Sequence, residues 1–435
     1  YGLLILGMLF NFFNPNSRFI KLSNLINEST KRENSMPNSQ NVNSQNSQPK
    51  KKIKKAKKAK NAISTLFLAF LIGIFSSNSL KAENLPEIDK SHIDELKTLV
   101  IQGFDGRMEP FDTVSRELLT KIYKKENYKG LNHNAVMISF MANPEFWKSA
   151  EIIKISEKEL KQILGIPQNQ THAKMGDFFA TGEDGAPYYK LTKMVEEINR
   201  KPLGNRGVLD KEILKVDERV NIFYMSFVGE FFRVIPKLNS QNNEWFSYVG
   251  ANMYFSGDEK EKTLGILNKY FDSVVSAQKT GDWESANAAL RELKAYQLEH
   301  GKNIMPTDTA IKFEVFFNNF KIFTRLIPVY ILAGLFLLAF VFVRMMSPKT
   351  QITGAFKAVY IINFIAFVLH TIGLIIRWYI SGHAPWSNSY ESMVYIAWAL
   401  SLSGMIFSKK SAISLALTSI MAGITLFVAF LSDMD

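Results

Sequence analysis

The residues with the clearest chemical potential lie close together near the end of the chain, in the segment SGHAPWSNSYE. Gly382 and Pro385 bracket His383 and restrict it to a short turn beside the Trp386 indole. A neutral imidazole nitrogen can ligate a transition metal, and an apolar aromatic surface suits a large planar macrocycle such as haem. On spacing alone, however, a lone histidine in such a loop is more often an ordinary residue of a membrane interface.

A second histidine lies within an uncharged apolar run. His370 recurs with Asn363, Ala366, Gly373 and Arg377 at intervals of three or four residues, which places all five on one face of a helix. A histidine within hydrocarbon is costly and usually faces protein or a cavity. The sequence leaves two roles open for His370, a helix-packing hydrogen bond or contact with a ligand. Arg377 follows at the interface, where its cation can face a haem propionate.

The helices that position these residues are predicted from four stretches of sequence without charged side chains. Residues 326–343, 358–376, 392–408 and 411–432 contain no Asp, Glu, Lys or Arg. Runs of roughly 17–25 residues are long enough to cross about 30 Å of hydrocarbon as a helix. We therefore expect residues 321–435 to form a membrane domain with four helices.

Three segments precede the central part of the chain. Residues 1–16 begin YGLLILGMLFNFF, without Met, and are expected to be the end of a transmembrane helix that starts upstream. Residues 17–61 are rich in Asn, Ser, Gln and Lys, which predicts a basic, disordered cytoplasmic linker. Residues 62–80 suit either a transmembrane helix or a signal-like anchor. Either reading places the following residues outside the cytoplasm.

The charge distribution indicates a membrane rather than a nucleic-acid partner. The chain has 435 residues and a formal charge of +12, but its basic surplus lies in the tail before residue 62 and in the membrane domain. The short loops of the membrane domain alternate between basic and non-basic, as expected when basic loops stay inside. We therefore predict a bacterial inner-membrane protein with several spans, a lipid-bilayer environment, no nucleic-acid partner and a large domain on the periplasmic side.

Residues 81–320 are predicted to form this extracytoplasmic domain. Their apolar residues recur mainly with helical spacing, for example in residues 114–123 and 149–164. Residues 259–279 and 283–299 flank the turn Thr280-Gly281-Asp282, which predicts a helical hairpin. The expected fold is mainly α, a polytopic membrane protein with a large, mostly helical extracytoplasmic domain. The chain has no Cys, so it cannot supply a thiolate ligand, a thiol nucleophile or a CxxCH haem attachment.

The segment GLIIRWYISGHAPWSNSYESMVYIAW, residues 373–398, resembles the CcsA (ResC) half of System II cytochrome c biogenesis proteins. Those proteins carry a similar GL-x-x-RW…SGH-x-P-x-SN-x-YES signature. The start of the chain resembles the end of the CcsB (ResB) half. The whole chain is thus similar to a fused CcsB-CcsA protein with a large exported domain between its halves.

The resemblance implies a function in haem export and in the covalent attachment of haem to apocytochrome c outside the membrane. It implies that His383 is an axial ligand of haem b, the transported substrate. Trp386 and Arg377 beside it are candidate haem contacts. His370 is a candidate from its place in the second span, and the resemblance does not assign it that role. The implied partners are haem, the CxxCH segment of apocytochrome c and thiol-reducing redox proteins. The chain would then be part of a holocytochrome c synthase, or haem lyase.

One departure from the family bears on completeness. The Trp-rich WWD segment and second outer histidine of the family are expected after the fourth span, where this sequence ends. We therefore expect the recorded part to be incomplete as a synthase, with its catalytic residues unknown. An alternative from a different class is a small-solute permease or membrane-anchored sensor with an extracytoplasmic binding domain.

Overall fold

The computed structural model describes residues 85–433, except 184, 239–241, 350, 383, 385, 387 and 410. The predicted helix end in residues 1–16, linker in 17–61 and anchor in 62–80 therefore lie outside the described residues. The same is true of His383 and Pro385. Within the described chain the architecture is mainly helical, as predicted, with a large domain in residues 85–307 followed by membrane helices.

Ten helices make up most of the large domain over its described residues. In chain order they are α1 (Lys90–Leu96), α2 (Phe111–Tyr123), α3 (His133–Ala142), α4 (Pro144–Ser149), α5 (Lys158–Leu164), α6 (Thr192–Arg200), α7 (Val208–Phe227), α8 (Tyr248–Tyr254), α9 (Gly257–Thr280) and α10 (Trp283–Gly301). Two short 3-10 helices, Met175–Phe178 and Leu203–Asn205, lie between them.

Short antiparallel strand pairs lie among these helices. The strands pair as β1 (Val100–Gln102) with β2 (Met108–Pro110), β3 (Asn127–Tyr128) with β4 (Leu131–Asn132), β5 (Ile153–Lys154) with β6 (His172–Ala173), β7 (Phe179–Thr181) with β8 (Pro187–Tyr189), and β9 (Ile235–Pro236) with β10 (Trp245–Phe246). In the first pair Val100 lies opposite Pro110. Strands this short are stabilised by the helices around them rather than by their own pairing.

The core of the large domain forms around α3, which is buried on all sides over residues 133–140, and against the apolar faces of other helices. Helix α2 buries Leu118, Leu119 and Ile122, as its spacing predicts. Trp147 is fully buried, and its Nε1 donates to the Ser139 hydroxyl over 2.8 Å, so the indole is packed without an unpaired donor.

The predicted hairpin is confirmed in α9 and α10. Gly281 adopts a φ of +79°, a left-handed conformation that side chains with a Cβ disfavour, and it ends α9. Asp282 then caps α10 by accepting the backbone N–H of Ser285 over 3.4 Å. The prediction of a continuous helical face in residues 149–164 is wrong. There the chain is extended between α4 and α5, where strand β5 pairs with β6. Ile152, Ile153 and Ile155 of this extended segment are buried.

The remaining described residues form α11 (Asp308–Phe320), α12 (Ile322–Met346), α13 (Thr353–Ser381), α14 (Ser389–Phe407) and α15 (Ala412–Asp433). Among the described residues, three helical stretches are long and apolar enough to cross a membrane, namely Asp308–Met346, Thr353–Ser381 and Ala412–Leu431. Helix α14 packs against α15 beside them. Each of the four predicted charge-free runs thus lies within or overlaps a helix.

Helix α11 attaches the large domain to α12. The Glu314 carboxylate accepts from Arg107 Nη2 over 2.5 Å and from the Thr113 hydroxyl over 2.9 Å. Asn318, one turn later, donates to the same Thr113 hydroxyl over 2.9 Å. These contacts hold one face of α11 against α2 and β2, so the domain-facing end of α12 has a defined position relative to α2.

Small residues allow the membrane helices to approach closely. A Cβ on Gly334 of α12 would lie 2.7 Å from the Ala416 carbonyl oxygen of α15, and one on Gly423 of α15 would lie 2.5 Å from Ile331 Cγ1 of α12. Neither separation is sterically possible without movement of a helix. Contacts between small residues of this kind are how helices pack where lipid removes the hydrophobic driving force.

Candidate functional site

In the sequence, His383 lies on the connection between α13 and α14, and the helix ends on both sides of this connection are capped. Gly382, at a φ of +67°, ends α13, and its N–H donates to the Trp378 carbonyl over 3.0 Å. At the other end Asn388 caps α14 by accepting the Glu391 backbone N–H over 2.8 Å. Arg377 Nε also donates to Glu391 Oε1 over 3.0 Å. The connection of residues 382–388 is therefore fixed at both ends.

Arg377 has an aromatic neighbour as well as an acidic one. Its guanidinium carbon lies 5.1 Å from the centre of the Tyr390 ring, a cation–π distance. The Glu391 side chain is 2% exposed, whereas that of Arg377 is 29% exposed. The carboxylate therefore lies behind the guanidinium, whose outer side remains accessible.

Trp386 begins a series of aromatic rings that descends between α13 and α14. Its ring lies 5.5 Å from Tyr395, edge to face; Tyr395 stacks on Trp398 at 5.5 Å, and Trp398 stacks on Phe367 at 5.4 Å. The Trp398 Nε1 donates to the Thr371 hydroxyl over 2.9 Å. All four rings are half-buried. They form an apolar, aromatic surface that starts at the His383 connection.

His370 lies deeper, on the buried face of α13, and is fully inaccessible to solvent. Its Nε2 is 3.1 Å from the Val394 carbonyl oxygen of α14, so that nitrogen carries a hydrogen and donates it. The Nδ1 is 3.5 Å from the Tyr330 hydroxyl of α12. His370 thus connects three helices by polar contacts.

The rest of the predicted polar face is also buried against protein. Asn363, Ala366 and Gly373 are all buried, and the Ser419 hydroxyl of α15 donates to Asn363 Oδ1 over 2.8 Å. At these residues, this face of the second span therefore packs against protein.

A cleft lies between the large domain and the ends of the membrane helices, beside Arg377. We call it the interdomain cleft. It encloses about 170 Å³ and opens to solvent. It is lined by Arg116, Glu126, Phe317, Asn318, Lys321, Ile322, Phe323, Thr324, Arg377, Tyr390, Val394, Leu426 and Phe430.

Charged residues of the cleft come from separate parts of the chain. Among its described lining residues, Arg116, Lys321 and Arg377 are cations and Glu126 is the one carboxylate. Glu126 accepts from Arg116 Nη1 and from Lys321 Nζ, each over 2.6 Å. Nothing in the local sequence indicates that Arg116 and Lys321 meet Arg377, because three distant segments bring them together.

Buried polar residues behind Arg116 set its position. Asp112, one turn earlier on α2, accepts from Arg116 over 3.2 Å and from His133 and Asn134 over 2.9 Å each. Burial alone would raise the pKa of Asp112, but the hydrogen bonds from His133 and Asn134 and the charge of Arg116 lower that pKa to about 2. Asp112 is therefore ionised at neutral pH and holds the Arg116 guanidinium from behind.

The structure brings some predicted site residues together. Arg377 and Trp386 both adjoin the 382–388 connection. His370 does not line the cleft, although its neighbours Phe323 and Val394 do. In the described part of the chain, no group of three or more His, Cys, Asp and Glu side chains is arranged to hold a metal ion.

Comparison with known proteins relates the chain to cytochrome c biogenesis proteins. It is 31% identical to Protein NrfI of Wolinella succinogenes over an alignment 443 residues long, which covers 100% of this chain and 45% of NrfI. It is 40% identical over 53 residues to a cytochrome c biogenesis protein CcsA of Prochlorococcus marinus, covering 12% of this chain and 17% of the relative. A Synechococcus CcsA is 44% identical over 45 residues, 10% of this chain and 15% of the relative. No family model matches.

The chain thus spans less than half the length of the curated relatives that it matches. These matches confirm the predicted relation to CcsA-like proteins of cytochrome c biogenesis. They leave the proposed fusion with a CcsB-like half untested.

Proposed function

We propose that this chain is part of a fused CcsB-CcsA-like membrane protein that exports haem b and presents it outside the membrane for attachment to apocytochrome c. The similarity to proteins named for cytochrome c biogenesis supports this function.

The observation that carries the proposal is the construction around the 382–388 connection. Capped helix ends and the Arg377–Glu391 ion pair fix both ends of this connection, and Trp386 and Tyr395 supply an aromatic surface beside it. His383 would ligate the haem iron with a neutral imidazole nitrogen, and Arg377 would face a propionate. Haem supplies the vinyl groups that react with thiols. Because this chain has no Cys, the thiols come from the CxxCH segment of the partner.

The proposed setting is the bacterial inner membrane, with the large domain and the His383 connection on the periplasmic side. The basic loops support this orientation, because they fall on the opposite side of the membrane helices. Thiol-reducing redox proteins are further proposed partners, since apocytochrome cysteines must be reduced before they react. In this setting the chain is part of a haem lyase.

The structure does not support the alternative function as a permease or sensor. Its support was the polar face of the second span, and the polar side chains of that face hydrogen-bond to neighbouring helices. Asn363 contacts Ser419, and His370 contacts Val394. Their role in packing accounts for this face without a solute.

The test is replacement of His383 in the full-length protein, co-expressed with a c-type apocytochrome. His383→Ala should abolish or shift the haem absorption and stop maturation. His383→Gly with added imidazole should restore part of both, because imidazole can fill the vacated coordination site. His300→Ala, a half-buried histidine of α10, is the matched control and should mature cytochrome normally. Normal maturation in His383→Ala without imidazole would remove His383 from the mechanism.

A further inference from the structure

The interdomain cleft contains a carboxylate held by two cations, one from the large domain and one from the α11–α12 junction. Glu126 uses one oxygen for Arg116 Nη1 and the other for Lys321 Nζ, each at 2.6 Å. Its side chain is 32% exposed and that of Lys321 is 42% exposed. Arg116 and Lys321 thus form a complete binding site for a carboxylate, and the carboxylate that occupies it is that of Glu126 in the same chain.

The positions of the cations are set independently of Glu126. Arg116 also donates to Asp112 over 3.2 Å and to Asn319 Oδ1 over 2.9 Å, and Asp112 is 3% exposed. Lys321 lies at the junction of α11 and α12, where its backbone N–H donates to the Phe317 carbonyl. Removal of Glu126 from the two cations would therefore leave both of them beside the cleft.

The composition of the cleft selects an amphipathic anion. Its described charged lining has an excess of cations, and its walls include the rings of Phe317, Phe323, Tyr390 and Phe430. Arg377 adds a third cation on the side nearest the 382–388 connection, with its own buried carboxylate behind it. A planar apolar molecule with two carboxylates matches this combination better than a small inorganic anion does.

We propose that Arg116 of the large domain and Lys321 of the α11–α12 junction bind one carboxylate of haem in the interdomain cleft, displacing Glu126, while Arg377 binds the other. This inference rests on the proposed function and deepens it, because it gives the large domain a part in binding the substrate. Charge-assisted hydrogen bonds from Arg and Lys are the strong interactions available to a carboxylate. Glu126 acts as an internal competitor that occupies the site when haem is absent.

The test compares ferric haem with haem dimethyl ester, which keeps the macrocycle and iron but has no free carboxylate. Binding to the purified full-length protein is followed by absorbance in nanodiscs of zwitterionic lipid. The wild type should bind haem more tightly than the ester. Arg116→Gln and Lys321→Gln should each weaken haem binding by roughly threefold to tenfold and leave ester binding unchanged.

Three further variants separate binding from structural effects. Glu126→Gln should strengthen haem binding, whereas a merely structural role for this carboxylate predicts no gain. Lys321→Arg keeps the charge and should retain most of the preference for haem over the ester. Lys121→Gln, on the same helix as Arg116 and 3.7 Å from Glu218, is the matched control and should bind both compounds as the wild type does.

The outcomes distinguish this inference from the proposed function. If His383 proves essential but the wild type binds haem and ester equally, the carboxylate site is refuted and the function stands. If haem binding is unaffected by Arg116→Gln and Lys321→Gln, while both reduce the amount of phosphatidylglycerol that copurifies, the cations serve a lipid phosphate and the inference is wrong. If the wild type binds neither compound, both are wrong.

Discussion

Arg377 and Glu391 lie on different helices, and Arg377 Nε donates to Glu391 Oε1 over 3.0 Å. The Glu391 carboxylate is 2% exposed, in the first turn of α14 next to the Asn388 cap. Arg377 lies one turn before the end of α13. The pair therefore closes the base of the 382–388 connection. It also orients the guanidinium toward the interdomain cleft, so one contact serves both the connection and the cleft.

Loss of the Arg377 guanidinium should destabilise the protein through Glu391. Arg377→Gln removes the cation beside a buried carboxylate and should cost about 1–3 kcal/mol of unfolding free energy, discounted because Arg377 is partly exposed. The double variant Arg377→Gln/Glu391→Gln should lose less than Arg377→Gln alone, because the unpaired charge is gone. Thermal unfolding in detergent measures both. Strictly additive losses from the two single variants would show that the residues are not coupled.

His370 should affect stability rather than haem ligation. His370→Ala removes the hydrogen bond to the Val394 carbonyl and leaves a cavity between α12, α13 and α14, at an expected cost of about 2–4 kcal/mol. Yield of the protein should fall, while the haem spectrum of the purified remainder stays similar. Lys357→Gln, at an exposed polar side chain of the same helix, is the control. Complete loss of bound haem at a normal protein level would instead identify His370 as a ligand.

The sequence predicts the features that depend on local pattern. The turn Thr280-Gly281-Asp282 predicts the α9–α10 hairpin because Gly281, which lacks a Cβ, favours a left-handed conformation and the Asp282 carboxylate favours a helix cap. The spacing of His370 and Asn363 likewise predicts a buried face, because a polar group within an apolar helix must find protein partners. Charge-free runs predict three of the membrane helices, since length and composition decide whether a helix can cross. The fourth run, 392–408, lies in α14, which is not among the three described stretches that are long and apolar enough.

What the sequence leaves undetermined depends on packing between distant segments. Arg116 and Lys321 have the pattern of ordinary surface cations, and a helical period gives the face of a residue but not the element packed on it. Residues 149–164 illustrate the same limit of the sequence. A short apolar run is compatible with a strand or a helix, and only its pairing with β6 makes part of this one a strand.

Close packing of α12 and α15 should tolerate no methyl group at Gly334. Its Cβ would meet backbone atoms of Ala416 and Ile420 at 2.7 and 2.9 Å, and backbone cannot rotate away as a side chain can. Gly334→Ala should therefore cost about 1–3 kcal/mol and lower the yield of folded protein. Gly354→Ala is the matched control in α13, where nothing lies within 4 Å of the added Cβ, and its higher helix propensity should be neutral or stabilising. Equal melting temperatures for the two variants would contradict the helix packing.

The orientation of the large domain can be tested with reporter fusions. Alkaline phosphatase is active only after export, so a fusion after Gly301 should be active and one after Lys409 inactive. The expected result follows from the basic residues of the loops at 344–357 and 409–410, which resist translocation. The reverse pattern would place His383 on the cytoplasmic side and overturn the proposed site of haem presentation.

Stability should depend on pH through Glu109, which lies in β2 beside Arg107. Burial raises the pKa of Glu109 to about 8, with a further rise from the Glu117 and Glu314 carboxylates that Arg107 only partly offsets. Because this pKa lies above the unfolded value of about 4.5, the folded state binds the extra proton between the two values. The contribution of Glu109 to stability is therefore fully present below about pH 4.5 and is lost as pH rises toward 8.

Glu109→Gln mimics the protonated carboxyl and should remove this dependence. Relative to the wild type, the variant should gain unfolding free energy as pH rises from 5 to 8, by roughly 1–4 kcal/mol over the range. Its amide oxygen can still accept from Arg107, whose second carboxylate partner, Glu314, remains at 2.5 Å. Glu145→Gln, at an exposed ion pair with Lys148, is the control and should leave the pH profile unchanged. Thermal unfolding of the full-length protein between pH 5 and 8 measures this difference. If the stabilities of the wild type and Glu109→Gln change with pH in parallel, Glu109 is already ionised in the folded protein at no cost.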